Sequence, residues 1–229
     1  LSDAEVMVFM TQDAMPSDQK LLENLVKALM QNTDIGAAYA RQLPNAECSF
    51  VERYTRSFNY PDQSVVKTKK DLPVYGIKTF FCSNVCAAYK KDIYQKMGGF
   101  IRKAIFNEDM IYAGRLIQEG YAIAYAADAR VIHSHNYSCR QQFHRNFDLG
   151  VSQAEHPEIF EGIPSEGEGI KLVKRTIIYL AKKGKIWLIP GVILQSGCKY
   201  AGYLAGKKYR KLPKKMILWC TMNREYWNV

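Results

Sequence analysis

The stretch Val6-Met7-Val8-Phe9-Met10-Thr11-Gln12-Asp13-Ala14 decides how this chain is to be read. Five apolar residues in a row, including two valines, suit a buried strand, and a strand with continuous apolar character is expected to be covered on both faces. The run stops at Thr11-Gln12-Asp13, so a carboxylate stands where the strand gives out into a loop. Pro16 and Ser17 follow, with Ser17 placed to cap a helix whose apolar stripe is Leu21, Leu22, Leu25, Val26 and Leu29. Ile35 to Ala40 reads as the next strand. The β-α-β order predicts an α/β sheet with a right-handed crossover.

Working outward, residues 41–75 are polar, contain Pro44, Pro61 and Pro73, and read as a long loop with short helical pieces. A strand-helix unit is expected from Ile77 to Met97, closed by Gly98-Gly99. A helix from Glu108 to Glu119 stops at Gly120. Tyr121 to Tyr125 and Ala129 to His133 read as strands, and Ser138 to about Gln153 as an amphipathic helix carrying Arg140, His144 and Arg145. Glu161 to Gly169, rich in Gly, Glu, Ser and Pro, marks a boundary. The expected organisation is a domain over 1–160, a linker over 161–169, and a basic helical region over 170–229.

The net charge of +10 is concentrated in that last region. From Gly169 onward fourteen Lys and Arg face one acid, Glu225, whereas the rest of the chain is slightly acidic. Lysines there alternate with Ile, Leu, Trp and Tyr, a pattern suited to interfacial helices on an anionic membrane. Trp187, Tyr200, Tyr203, Trp219, Tyr226 and Trp227 fit an aromatic belt. None of the apolar stretches reaches the length of a spanning helix. Basic residues among aromatics also suit a phosphate backbone, but the apolar runs are too long for a solvated nucleic-acid patch, and no nucleic-acid partner is expected. The six cysteines are scattered, with Cys82 and Cys86 the one close pair, and read as buried free thiols rather than a zinc cluster.

Two acidic motifs carry the chemistry. Asp13 at a strand end can hold a divalent cation, and Asp109 in Asn107-Glu108-Asp109-Met110, at a helix N-terminus, can serve as general base. The plain alternatives are a turn residue and ordinary first-turn acids favoured by the helix dipole. His133 and His135, two apart on an extended segment, project to the same side and could join a metal. Zn²⁺ would need a third ligand, and none lies nearby in the sequence. Ser83 and Asn84 follow an apolar strand and precede Ala87-Ala88, whose small side chains would let a ligand approach the backbone.

Together these motifs resemble a family 2 glycosyltransferase of the GT-A fold, and more narrowly the bacterial rhamnosyltransferases that build cell-surface polysaccharide. The resemblance lies in residues 8–16, 79–89, 98–100, 106–110 and 131–138, and covers about 1–155. It implies a GT-A-type, Rossmann-like mixed sheet flanked by helices, beginning later than the family pattern does, without the first nucleotide-gripping strands. It implies inverting transfer of rhamnose from dTDP-rhamnose, a nucleotide-diphosphate sugar, to a lipid-linked saccharide, assisted by Mg²⁺ or Mn²⁺. Asp13 and His135 would be the metal ligands, with Gln12 in place of the first acid of the usual Asp-x-Asp. Asp109 would be the base and Glu108 would bind an acceptor hydroxyl. Thr11, Gln12, Asp13, Ser83, Asn84 and Asn107 would line the donor site. The location implied is cytoplasmic, peripheral on the inner face of the bacterial membrane. The alternative is a non-catalytic fragment, or a module binding saccharide or membrane without the nucleotide site.

Overall fold

The structure is a computed structural model that describes residues 3–163 and 166–228. Pro164 and Ser165, inside the expected linker, lie outside the described residues. Among the described residues six strands run in chain order as β1 (Val6–Met10), β2 (Met15–Pro16), β3 (Ile35–Leu43), β4 (Val65–Lys67), β5 (Cys86–Lys90) and β6 (Ala122–Ile132). The helices are α1 (Leu21–Met30), α2 (Phe50–Asn59), α3 (Leu72–Tyr75), α4 (Lys91–Lys96), α5 (Glu108–Gln118), α6 (Cys139–Glu155), α7 (Pro157–Phe160), α8 (Glu166–Lys182), α9 (Ile189–Lys207) and α10 (Lys214–Cys220). By contacts the chain divides into two compact units, residues 1–101 with 109–135, and residues 102–108 with 136–229. This division falls earlier than the boundary suggested by the composition of residues 161–169.

The first unit is a mixed sheet flanked by helices, the α/β architecture expected. Strand order is β1-β5-β3-β6-β2, with β4 also pairing β6. β5 is antiparallel to both neighbours, and β3 and β6 are parallel. The middle of the sheet is built from alanines: Ala37, Ala38, Ala87, Ala88 and Ala124 are essentially without exposure. Small side chains let α1 lie close, and Leu21, Leu25 and Leu29 of its inner face enter this core. Each buried leucine contributes about 2 kcal/mol. A second layer of contacts interlocks Phe9, Tyr89, Tyr94, Phe100 and Tyr112, with ring centroids 5.1–6.4 Å apart. Gly98 and Gly99, both with positive φ, close this cluster, and a Cβ on Gly99 would press on the Tyr94 ring.

Several expectations are corrected. β1 is not covered on both faces: it pairs with β5 at the sheet edge, and Val8, Phe9 and Met10 retain exposure. Ser17 does not cap α1; its amide donates to the Arg130 carbonyl, and Asp18 receives the Lys20 amide instead. Leu22 is exposed and lies outside the buried stripe. The stretch 41–75 contains the regular helix α2, capped by the Ser49 hydroxyl, and strand β4. Ile77 to Phe80 is a 3-10 turn, so strand begins only at β5. The two strands expected over 121–133 are one, β6, whose pairing with β3 is interrupted by a register shift at Ala40/Arg41.

The second unit is helical. α6 and α9 cross at backbone contact, because Gly150, Gly202 and Gly206 carry no Cβ: one added at Gly206 would collide with the Phe147 carbonyl, and one at Gly202 with that of Phe143. Phe147, Val151, Ile217 and Cys220 form the core beside this crossing. Buried Asp148 accepts from the Thr221 hydroxyl at 2.6 Å and the Met222 amide at 2.9 Å, tying the segment after α10 to α6. Glu155 accepts from the Tyr209 and Tyr226 hydroxyls.

Candidate active site

The turn after β1 positions Asp13. The Ala14 amide donates to the Thr11 carbonyl at 3.1 Å, so Gln12 and Asp13 occupy the corner of a tight turn. β2 then pairs antiparallel with the end of β6, Met15 opposite Ile132 and Pro16 opposite Val131. That register carries the turn alongside the residues following β6. The His133 amide donates to the Leu43 carbonyl, extending the β3–β6 ladder up to the first histidine.

The result is a three-residue cluster. Asp13 Oδ2 lies 3.4 Å from His133 Nε2 and 3.2 Å from His135 Nε2, and the two Nε2 atoms are 3.0 Å apart. Asp13, His133 and His135 each offer a ligand atom to one point, as a metal centre requires. The third group that the histidines lack nearby in sequence is Asp13, distant in the chain and adjacent in space. Asp13 is half exposed and His133 is buried. The Thr11 side chain, followed by the two imidazoles, holds the Asp13 carboxyl below its ordinary range. Burial, and then the Arg56 cation, pull His133 down to about 4, so its ring is neutral at physiological pH.

Ser83, Asn84 and Asp109 form a second group. Asp109 Oδ2 accepts the Asn84 amide at 2.9 Å and Oδ1 accepts the Met110 amide at 2.7 Å. Asn84 Oδ1 accepts from the Tyr89 hydroxyl at 2.8 Å, which fixes the loop ahead of β5. Neighbouring Cys82 is fully enclosed, and burial pushes its thiol up to about 12. The two amide hydrogen bonds fix the orientation of the Asp109 carboxylate.

The two groups are joined by a residue in the stretch read as loop. Buried Gln42, on β3, donates from Nε2 to Ser83 Oγ at 3.0 Å. Its Oε1 receives the Arg56 guanidinium and faces His133 Nδ1 at 3.1 Å. Arg56, on α2, is held in turn by Glu52 at 2.7 Å. Sequence reasoning missed Gln42 and Arg56. The available signals were Ser49 three residues before Glu52 and the spacing of Phe50, Tyr54 and Phe58, which together mark a capped helix.

Of the remaining expected residues, Gln12 is exposed on the turn. Asn107 and Glu108 fall in the second unit, directly before Asp109. Asn107 has a φ of 61°, the left-handed region that asparagine tolerates better than most residues. On α6, Arg140 contacts His144 on the helix face, and Arg145 stacks on Phe106 and Tyr137.

Comparison with known proteins agrees with the pattern of motifs. The chain is 41% identical over 229 residues to the O-antigen chain rhamnosyltransferase RfbN of Salmonella typhimurium, covering 99% of this chain and 72% of the relative. It is 40% identical to the O-antigen chain rhamnosyltransferase WbaN of Salmonella anatum, covering 71% of that protein. The chain belongs to the O-antigen chain rhamnosyltransferases. It is accordingly a glycosyltransferase of polysaccharide synthesis, as the resemblance implied. No protein-family model matches it. Among solved structures, the mannosyltransferase PcManGT from Pyrobaculum calidifontis, in complex with GDP-Man and Mn²⁺, aligns with a TM-score of 0.46 and 18% identity. That alignment covers 97% of this chain and 59% of the other. Among the described residues of this chain, no helix is long and apolar enough to cross a membrane.

Proposed function

We propose that this chain transfers rhamnose from dTDP-rhamnose to a hydroxyl of a lipid-linked saccharide, with inversion, on a GT-A-type scaffold and with a divalent cation held by Asp13, His133 and His135. The carrying observation is the convergence of one carboxylate and two imidazole nitrogens within 3.0–3.4 Å. A neutral His133 and an ionised Asp13 turn acceptor atoms toward His135 Nε2, 3.0 and 3.2 Å away, and a cation that displaces the proton there meets three ligand atoms at one point. Two imidazoles with one carboxylate suit Mn²⁺ better than Mg²⁺, which prefers an all-oxygen shell. The cation would neutralise charge developing on the departing diphosphate.

Asp109 takes the acceptor proton in this reading. Its two amide hydrogen bonds orient the carboxylate, and Glu108, one residue earlier, binds an acceptor hydroxyl. Thr11, Gln12, Ser83, Asn84 and Asn107 supply polar groups to the nucleotide sugar. The basic C-terminal helices bind an anionic membrane at the inner leaflet. Ile186 and Trp187 are exposed by more than 60%, and Lys182 and Lys183 beside them are exposed too. Apolar side chains so presented enter a headgroup layer while lysines meet its phosphates.

Calorimetric titration with dTDP-rhamnose, with and without Mn²⁺, tests the reading. Binding that needs Mn²⁺ and is lost in Asp13→Ala supports it. A folded protein that binds no donor under either condition would leave a saccharide- or membrane-binding module as the better account.

A further inference from the structure

We infer that Gln42 is a positioning residue that fixes the tautomer of His133, leaving its Nε2 lone pair facing Asp13 and His135, while the same amide anchors Ser83. The inference rests on the cation-site reading above and adds the residue that presets it.

The orientation of the Gln42 amide follows from its neighbours. A guanidinium only donates hydrogen bonds. Arg56 Nη1 contacts Gln42 Oε1, and Arg56 is itself held by Glu52 at 2.7 Å, so the oxygen end of the amide must face it. The nitrogen end then donates to Ser83 Oγ at 3.0 Å. His133 Nδ1 lies 3.1 Å from that same oxygen, which can only accept. Nδ1 therefore carries the hydrogen. In a neutral ring Nε2 is then unprotonated, and it is the atom 3.4 Å from Asp13 Oδ2 and 3.0 Å from His135 Nε2. Gln42 is buried, so water does not compete for these bonds. Partners of this kind orient ligating histidines and set their tautomer in metal sites generally.

One residue thereby couples the two groups of the site. Ser83 precedes Asn84, whose amide holds the Asp109 carboxylate. A change at Gln42 is felt at both ends, through His133 on one side and through Ser83 and Asn84 on the other.

The experiment is ¹⁵N NMR of imidazole nitrogens in the metal-free full chain at neutral pH, with His133 assigned by comparison with His133→Asn. Wild-type protein is expected to show the Nδ1–H tautomer. Gln42→Glu still accepts from Arg56 and from Nδ1–H, and should retain it. Gln42→Met removes the acceptor and should give mixed tautomers, with Mn²⁺ affinity falling about 10- to 100-fold. An Nε2–H tautomer in the wild type would overturn the inference without recourse to any variant. So would Gln42→Met with unchanged tautomer and Mn²⁺ affinity. A wild type that shows Nδ1–H but binds no Mn²⁺ would uphold the role of Gln42 and contradict the cation reading instead.

Discussion

Two buried polar networks, one in each unit, end differently. In the helical unit Asp148 is enclosed and accepts from Thr221 and Met222, and Glu155 accepts from two tyrosine hydroxyls. In the sheet unit the network runs from Glu52 and Arg56 through Gln42 to Ser83 on one branch and His133 on the other. The His133 branch ends at Asp13 and His135, whose carboxylate and ring nitrogens gather at a partly exposed corner. The first network pairs acceptors with donors and only holds structure. The second ends in one carboxylate and two imidazoles able to ligate a metal, and that end is where we propose the cation. Burial alone does not distinguish a site from a strut; how the hydrogen bonds terminate does.

The largest expected effect breaks the open end. Asp13→Ala should lower kcat/KM by about a thousandfold, about 4 kcal/mol in the barrier, while thermal unfolding moves by no more than about 0.5 kcal/mol. Parallel loss of stability would mean that Asp13 is a strut like Asp148.

The next breaks the helical unit. Gly206→Ala places a methyl against the Phe147 carbonyl at the crossing of α6 and α9. It should cost about 3 kcal/mol in denaturant unfolding, because helices in backbone contact have no side chain to move aside.

A smaller effect separates the two carboxylates. Asp148→Ala leaves the Thr221 hydroxyl and the Met222 amide unpaired and should cost about 2 kcal/mol. Asp148→Asn retains an acceptor for Met222 and should cost less than half of that, since burial already pushes the Asp148 carboxyl above its ordinary range. Equal losses in the two variants would show that charge, and not pairing, matters there.

A fourth prediction concerns pH. Buried Lys67 donates to the Phe81 and Lys78 carbonyls and the Tyr39 hydroxyl, and burial pulls its ammonium from 10.5 down to about 7. Between those values the unfolded chain binds more protons than the folded one, so stability rises with pH across that window and is lost as pH falls toward 7. Unfolding free energy should climb by about 1 kcal/mol per pH unit from pH 7 to 9, and Lys67→Met should flatten that slope. A slope unchanged in Lys67→Met would assign it to other groups.

The residues of the candidate site were partly legible in the chain, and the limits have physical causes. Asp13, Asp109, His133 and His135 stand out because strand ends and helix starts are marked locally, by apolar runs that stop and by Gly120 after a helix. That Asp13 meets the two histidines depends on β2 pairing with β6, a contact between distant segments that no local pattern records. Gln42, Arg56 and Lys67 lay in a stretch whose prolines and polarity concealed α2 and β4. Residues that serve through buried hydrogen bonds look like ordinary loop residues until the fold encloses them. β1 misled for the converse reason: a continuous apolar run shows that a strand is apolar, not which neighbours cover it.

The central claim is that one carboxylate and two imidazoles converge on a cation. Pulsed electron paramagnetic resonance of the Mn²⁺-loaded chain, labelled with ¹⁵N-histidine, tests it most directly. The account predicts coupling to two imidazole nitrogens, reduced to one in His133→Asn and again in His135→Asn, and weak or absent Mn²⁺ binding in Asp13→Ala. Tightly bound Mn²⁺ with no histidine nitrogen coupled to it would contradict the account.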